Sequence, residues 1–176
     1  PTYQAEGRIY AEHILKNKPN AKIGVLFQND DFGKDYLKGL MDGLGDKAKA
    51  LVVSQVSYEV TDPTVDSQLI SLKSAGVDTL VNITTPKFAA MSIRKVAELG
   101  WKPAHYLTSV SQSIGAVLKP AGFDNANGIV SVEYLRDPAD PRWKATKEIA
   151  DYTAWIKKYY PAAEFTDTLN VIGYSQ

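Results

Sequence analysis

Two kinds of apolar spacing alternate along this chain. Short continuous apolar runs, such as residues 23–27, are typical of strands buried on both faces of a parallel sheet. Between them lie longer segments with apolar residues at every third or fourth position, which is typical of helices with one buried face. The pattern predicts strands at residues 23–27, 51–58, 78–83, 104–107 and 128–132, and helices at residues 2–16, 32–44, 65–76, 86–99 and 114–118.

This alternation predicts the α/β fold class. Strands that alternate with helices form βαβ units with a parallel sheet and right-handed crossovers. The order expected for such a sheet is 2-1-3-4-5, as in flavodoxin-like proteins. We therefore predict a three-layer αβα, doubly wound parallel sheet. Two ends are expected from local signals, because Asp62-Pro63 should cap the third helix and Pro86 should occupy the first position of the fourth.

The character of the chain changes after Glu133. Residues 136–141 are charged and rich in proline, which is typical of a connection between domains. A helix is predicted at residues 143–160, and the start of a further helix at 170–176. Its aromatic residues, namely Trp143, Tyr152, Trp155, Tyr159 and Tyr160, are interpreted as a packing face rather than as a platform for a ligand.

Composition excludes several classes of function. The 20 basic residues equal the 20 acidic ones and form no basic stripe, so we expect no nucleic-acid partner. No apolar run reaches the length of about 18 residues that predicts a membrane span, so no membrane insertion is expected. Without cysteine the chain has no disulfide, thiolate zinc site or cysteine nucleophile. Because the chain begins at Pro1 and not at methionine, we expect an internal segment of a longer protein.

Ligands of open α/β sheets bind beyond the carboxyl ends of the strands, at the point where the strand order reverses. The loops predicted there are residues 28–33, 84–86 and 108–111. Their hydroxyl groups could donate hydrogen bonds to a ligand, and they belong to Thr84, Thr85, Ser109 and Ser111. The helix that follows Thr85 could bind an anion at its amino end.

Each of these loops also has a plainer interpretation. Thr84 or Thr85 could simply cap the helix that follows. Phe32 could project into the cleft or pack in the core. Asp30 and Asp31 could bind a cation or a ligand amine, or could be a helix N-cap beside a solvated acid.

Motifs of catalysis are weak. His13 and His105 are the only histidines, and both are interpreted as structural. The nucleophile elbow, the Walker loop, the dinucleotide-binding glycine motif and metal-ligand spacing are all missing from the sequence. We therefore predict that the protein is not an enzyme and that it uses no cofactor and no metal.

Several segments resemble a known family in order and spacing. They are Ala21-Lys22-Ile23-Gly24-Val25-Leu26-Phe27, Asn29-Asp30-Asp31-Phe32-Gly33-Lys34-Asp35, Asp62-Pro63-Thr64-Val65-Asp66 with Gln68, Leu72-Lys73-Ser74-Ala75-Gly76-Val77-Asp78, Thr85-Pro86-Lys87-Phe88-Ala89-Ala90 and Gly173-Tyr174. With them the chain resembles the type I periplasmic binding proteins of the leucine/isoleucine/valine-binding family, the receptors of ATP-driven amino-acid importers.

The resemblance implies one lobe of a bilobed protein that closes on its ligand like a hinge. Residues 1–135 would be the carboxyl-terminal lobe, and residues 136–176 a partial, mainly helical segment of the amino-terminal lobe. By position, Phe32, Thr84 or Thr85, and Ser109, Val110 and Ser111 match ligand-contacting residues. The resemblance further implies a periplasmic, extracytoplasmic location, a small-molecule ligand and the permease subunits of an ABC transporter as partners.

The ligand itself is expected to differ from a plain amino acid. In amino-acid binders of this family the loop after the fourth strand supplies an acid that pairs with the ligand's amino group, and residues 108–112 contain none. Because an unpaired ammonium would be costly in a closed cleft, an aromatic or other organic acid, a urea or an amide fits better. The alternatives are the ligand-sensing lobe of a regulator or receptor with the same fold and, third, a flavodoxin-like enzyme.

Overall fold

A computed structural model describes residues 2–176 and has a mixed α/β architecture. Its sheet has four parallel strands in the order β2-β1-β3-β4, which confirms the order predicted for these strands. Phe27 pairs with Ser57 on one side and with Ile83 on the other, so the carboxyl ends of three strands lie level at one edge. The strands are β1 (Ile23–Gln28), β2 (Val52–Tyr58), β3 (Thr79–Ile83) and β4 (Ala104–Leu107).

The prediction of a fifth strand at residues 128–132 is wrong in extent. This segment lies beside β4, but it forms only an isolated parallel bridge between Val130 and Tyr106. Gly128 adopts a φ of 85°, which is incompatible with extended pairing, and Val130 is 37% exposed at the sheet edge. An edge segment that buries so little apolar surface gains little from a longer ladder.

Helices cover both faces of the sheet. They are α1 (Tyr3–Asn17), α2 (Asp31–Leu44), α3 (Ala48–Leu51), α4 (Asp66–Ser74), α5 (Pro86–Glu98), α6 (Lys119–Ala121), α7 (Phe123–Ala126), α8 (Lys147–Tyr159) and α9 (Thr168–Ser175), with a π-helical turn at Ile114–Leu118. Pro86 occupies the first turn of α5, as predicted. The predicted cap at Asp62-Pro63 is wrong, because α4 begins at Asp66 and the Asp62 carboxylate accepts a hydrogen bond from the Glu59 amide at 2.9 Å.

Two apolar layers hold the helices on the sheet. On one face Tyr10, Ile14 and Leu40 of α1 and α2 pack on alternate strand residues such as Val25 and Val81. On the other face Leu69, Leu72 and Phe88 of α4 and α5 pack on Leu26 and Leu80. Because strand residues alternate between faces, continuous apolar strands serve both layers. The three-layer αβα arrangement is therefore confirmed.

Glycines let α1 and α2 approach closely. A Cβ atom on Gly39 of α2 would lie 2.2 Å from the carbonyl oxygen of Gln4, and one on Gly7 of α1 would lie 2.5 Å from the carbonyl oxygen of Tyr36. Real Cβ atoms do not come so near to backbone atoms, so only glycine fits at either position. This close contact brings the first two turns of α1 next to α2.

Residues 136–176 form a smaller helical segment. Tyr152 and Ile156 of α8 pack on Val171 of α9. The helix predicted from residue 143 begins later, at Lys147, because Asp140 holds a turn there: its carbonyl accepts from the Trp143 amide at 3.0 Å.

This segment contacts the sheet domain through acids. The Ser113 hydroxyl donates to the buried Asp167 carboxylate at 2.6 Å, and the Gln112 amide donates to Glu133 at 2.9 Å. Within α8, Trp155 and Tyr159 remain 43% and 62% exposed. Across residues 2–176, every helix is too short or too polar to cross a membrane.

Candidate functional site

A buried glutamate joins three elements at the carboxyl edge of the sheet. Glu6 of α1 is only 4% exposed. Its Oε1 accepts from the Ser109 amide at 2.8 Å, and its Oε2 accepts from the Ser109 hydroxyl at 2.7 Å and from the Tyr36 hydroxyl at 2.7 Å. Tyr10 lies 2.5 Å from Oε1 and 2.7 Å from the Leu107 carbonyl oxygen, so its one proton is shared between two acceptors. Glu6 thereby ties α1 to α2 and to the loop after β4.

The two tyrosines that contact Glu6 stay protonated at neutral pH. Burial raises the pKa of Tyr10 well above its ordinary value, and the nearby Glu6 carboxylate raises it further. Burial, with the same carboxylate, also raises the pKa of Tyr36. Both phenols therefore act as neutral hydrogen-bond donors.

The loop after β4 is a short 3₁₀ turn, Ser109–Ser111, whose hydroxyls already have partners. Ser109 donates to Glu6. Ser111 is fully buried and donates to the carbonyl oxygen of Thr84 at 2.5 Å. Thr84 is also fully buried, and its hydroxyl donates to Asn82 Oδ1 at 2.8 Å. In this conformation the hydroxyls of Thr84 and Ser111 hold the loops together, and their predicted ligand contacts stay predictions.

Thr85 belongs to a second polar network at the same edge. Its hydroxyl donates to Gln28 Oε1 at 3.0 Å, and its amide donates to the Tyr58 hydroxyl at 3.0 Å. Tyr58 also donates to Gln28 Oε1 at 3.0 Å. Although Thr85 lies at the N-cap position of α5, its side chain makes no capping hydrogen bond. This half-buried hydroxyl lies between β1, β2 and β3, at the reversal of strand order.

Asp30 and Phe32 follow their plainer interpretations. Asp30 is the N-cap of α2, where its carboxylate accepts from the Gly33 amide at 3.0 Å and from the Gln28 side chain. Phe32 is half-buried and makes edge contacts with Tyr3 and Tyr36, with ring centroids 5.1 and 5.3 Å apart. Phe32 therefore supports Tyr3, which lies nearer to the open edge.

A cavity of about 530 Å³ opens at this edge. Its wall includes Tyr3, Glu6 and Asp35 from α1 and α2, and Ser109 and Val110 from the loop after β4. Ile172 of α9 and other residues of the last helix close its far side. Of the residues predicted from sequence, the cavity brings together Ser109 and Val110, whereas Phe32, Thr84, Thr85 and Ser111 lie outside its wall.

Sequence reasoning missed Glu6 and Tyr3. Both lie on the stripe of α1 that continues to Tyr10 and Ile14, where an apolar residue is expected. An acid within the apolar stripe of a helix is the signal that could have drawn attention to Glu6, because a buried carboxylate needs donors.

The two histidines lie away from this cavity. His105 is buried in β4, and burial lowers its pKa to about 4. Its Nε2 lies 3.0 Å from Asn82 Nδ2, which can only donate, so the ring is neutral there. His13 Nδ1 lies 3.0 Å from the Tyr106 hydroxyl. Among residues 2–176, acids and histidines form no group of three that could hold a metal ion.

Comparisons with known proteins give a consistent family. A profile of the family described as "Periplasmic binding protein" matches residues 1–176. A search of curated proteins finds no match.

Similar solved structures include a substrate-binding periplasmic protein from Ralstonia solanacearum, with a TM-score of 0.76 and 23% identity over 89% of this chain and 43% of that one. A branched-chain amino acid ABC transporter protein from Thermus thermophilus with bound valine has a TM-score of 0.80 and 19% identity over 96% of this chain and 42% of that one. A fatty acid ABC transporter substrate-binding protein from Thermomonospora curvata has a TM-score of 0.73 and 19% identity over 91% and 40%.

The chain spans less than half the length of these three structures, and at such identities they show the fold alone. The match of the family profile to the whole chain shows more. With a parallel α/β sheet, a cavity at its carboxyl edge and that profile match, this chain belongs to the periplasmic binding protein family.

Proposed function

We propose that this chain supplies one lobe of the substrate-binding component of an ABC importer. The lobe is residues 1–135, and residues 136–176 are part of the second lobe. The component works outside the cytoplasm, binds a small organic acid or an amino-acid-like ligand between the lobes, and delivers it to the permease subunits.

The observation that carries the proposal is the position of the cavity. It opens at the carboxyl edge of the parallel strands, where open α/β sheets bind ligands. Its volume of about 530 Å³ suits a small molecule. Solved structures with the same fold include proteins described as binding valine or as fatty acid transport receptors.

Capture requires no chemistry on the ligand. The loop after β4 is fixed by Glu6 and by the contact between Ser111 and Thr84, so it is already ordered before a ligand arrives. Half-buried Val110 offers an apolar contact, and half-buried Thr85 offers a hydroxyl. A prearranged wall reduces the entropy lost on binding. Closure of the second lobe over this wall then excludes water from the ligand.

The crossing between the lobes has a physical basis in two acids. Asp167 accepts from Ser113, and Glu133 accepts from Gln112. Both contacts lie at the end of the loop after β4. A hinge motion of residues 136–176 therefore acts directly on the segment that borders the cavity.

The test is calorimetry of the intact protein against a panel of amino acids, aliphatic and aromatic acids, and amides. We expect at least one to bind with a micromolar or lower Kd. A saturating ligand at 100 times its Kd should raise the free energy of unfolding by about 2.7 kcal/mol.

A matched pair of variants tests the position of the site. Val110→Trp fills the cavity and should abolish binding, whereas Ile70→Trp, on the exposed face of α4, should leave it intact. Failure of the whole panel to bind, or an unchanged Kd in Val110→Trp, contradicts the proposal.

A further inference from the structure

Glu6 has only neutral partners. Its four hydrogen-bond donors are two phenols, one hydroxyl and one backbone amide. Of the ion pairs formed within residues 2–176, none includes Glu6. Neutral donors stabilise a carboxylate, but they do not cancel its charge. The field of that charge therefore extends into its surroundings.

The cavity is the open side of this field. Glu6 forms part of its wall, and Asp35 of α2 adds a second carboxylate at the rim. None of the residues that line the cavity is basic. Because Glu6 is 4% exposed, its field passes through protein and a narrow cavity and is screened less than the field of a surface acid.

We infer that Glu6 sets the charge that this half-site accepts: the ligand group facing α1 is a cation or a neutral N–H donor, and a ligand carboxylate points away from it. The inference rests on the proposed function, since it describes the ligand of the same cavity. Glu6 acts through its field and through the Ser109 loop, so it is a specificity-determining residue that the ligand need not touch.

This inference revises the expectation of a ligand without an amine. That expectation considered acids only within residues 108–112. Glu6 is 103 positions from Ser109 in the chain, yet its carboxylate lies 2.7 Å from the Ser109 hydroxyl. An ammonium group near this loop would therefore have an anion beside it, supplied by α1.

Three probes with one hydrocarbon skeleton test the inference by calorimetry on the intact protein. Leucine carries both charged groups, 3-methylbutylamine carries only the ammonium, and 4-methylpentanoate carries only the carboxylate. We expect the amine to bind at least about tenfold more tightly than the acid. Glu6→Gln should reduce this ratio by about tenfold, and Glu12→Gln, at an exposed position of the same helix, should leave it unchanged.

A second variant guards against misfolding. Asp35→Asn changes an exposed rim residue, and it should reduce the ratio by about threefold without affecting the fold, which circular dichroism checks. The inference is overturned if the acid binds as tightly as the amine, or if Glu6→Gln folds and leaves the ratio unchanged. It is also overturned if no probe binds, whereas the proposed function then depends on the wider panel alone.

Discussion

Gly39 of α2 gives the sharpest test of how the helices position Glu6. A Cβ atom at Gly39 would lie 2.2 Å from the Gln4 carbonyl oxygen of α1, and the neighbouring contacts are backbone atoms as well. Backbone cannot turn aside as a side chain can. In Gly39→Ala, α1 must therefore move away from α2 by roughly 1 Å to restore van der Waals distance.

Two effects of opposite sign decide the result. Alanine stabilises a helix by about 1 kcal/mol relative to glycine. Overpacking against a rigid neighbour costs roughly 1–3 kcal/mol, and a backbone clash belongs at the upper end. We expect Gly39→Ala to lower the free energy of unfolding by about 2 kcal/mol, which corresponds to a fall in Tm of roughly 4–8 °C.

Gly173→Ala is the matched control. Gly173 lies in α9, and no atom comes within 4 Å of its added Cβ. The same substitution should there raise the free energy of unfolding by up to about 1 kcal/mol. Urea denaturation followed by circular dichroism measures both variants. If Gly39→Ala is as stable as Gly173→Ala, α1 and α2 are not packed as described, and the position of Glu6 loses its basis.

Two further predictions concern buried groups. Glu6→Ala removes the only acceptor of the Ser109 amide, so hydrogen exchange at Ser109 should accelerate by at least about 100-fold, whereas Glu12→Ala should leave it unchanged; equal exchange in the two variants would contradict the anchoring role. Because burial lowers the pKa of His105 from 6.5 to about 4, the unfolded chain binds a proton at higher pH than the folded one. Stability should therefore fall by about 2 kcal/mol from this group between pH 7 and pH 5. His105→Gln should remove that part of the pH dependence and His13→Gln should not; denaturation at both pH values measures it, and an unchanged slope in His105→Gln would refute it.

The sheet could be predicted from sequence because its inner strands are buried on both faces. Continuous apolar runs such as Ile23–Phe27 have few alternatives once helices flank them. The errors fall where that constraint ends. Val130 lies at the sheet edge with one side open, and Asp62 caps a turn rather than a helix, so local propensity alone did not determine either segment.

The candidate site was predictable only in part. Topology placed the loop of Ser109 and Val110 at the ligand edge, because parallel strands end together there. It could not show that Ser111 and Thr84 turn inward, since the direction of a loop side chain depends on tertiary contacts. Glu6 was missed because its partners come from distant parts of the chain.

The most direct test of the central claim is a crystal structure of the intact protein with the ligand that the panel identifies. The decisive measurement is the distance from the ligand to Val110 and to the Glu6 carboxylate. We predict contact within about 4 Å at Val110, with the ligand's cationic or N–H group on the side of Glu6. A ligand bound elsewhere, for example in the cavity of about 400 Å³ beside Trp101 and His105, would contradict it.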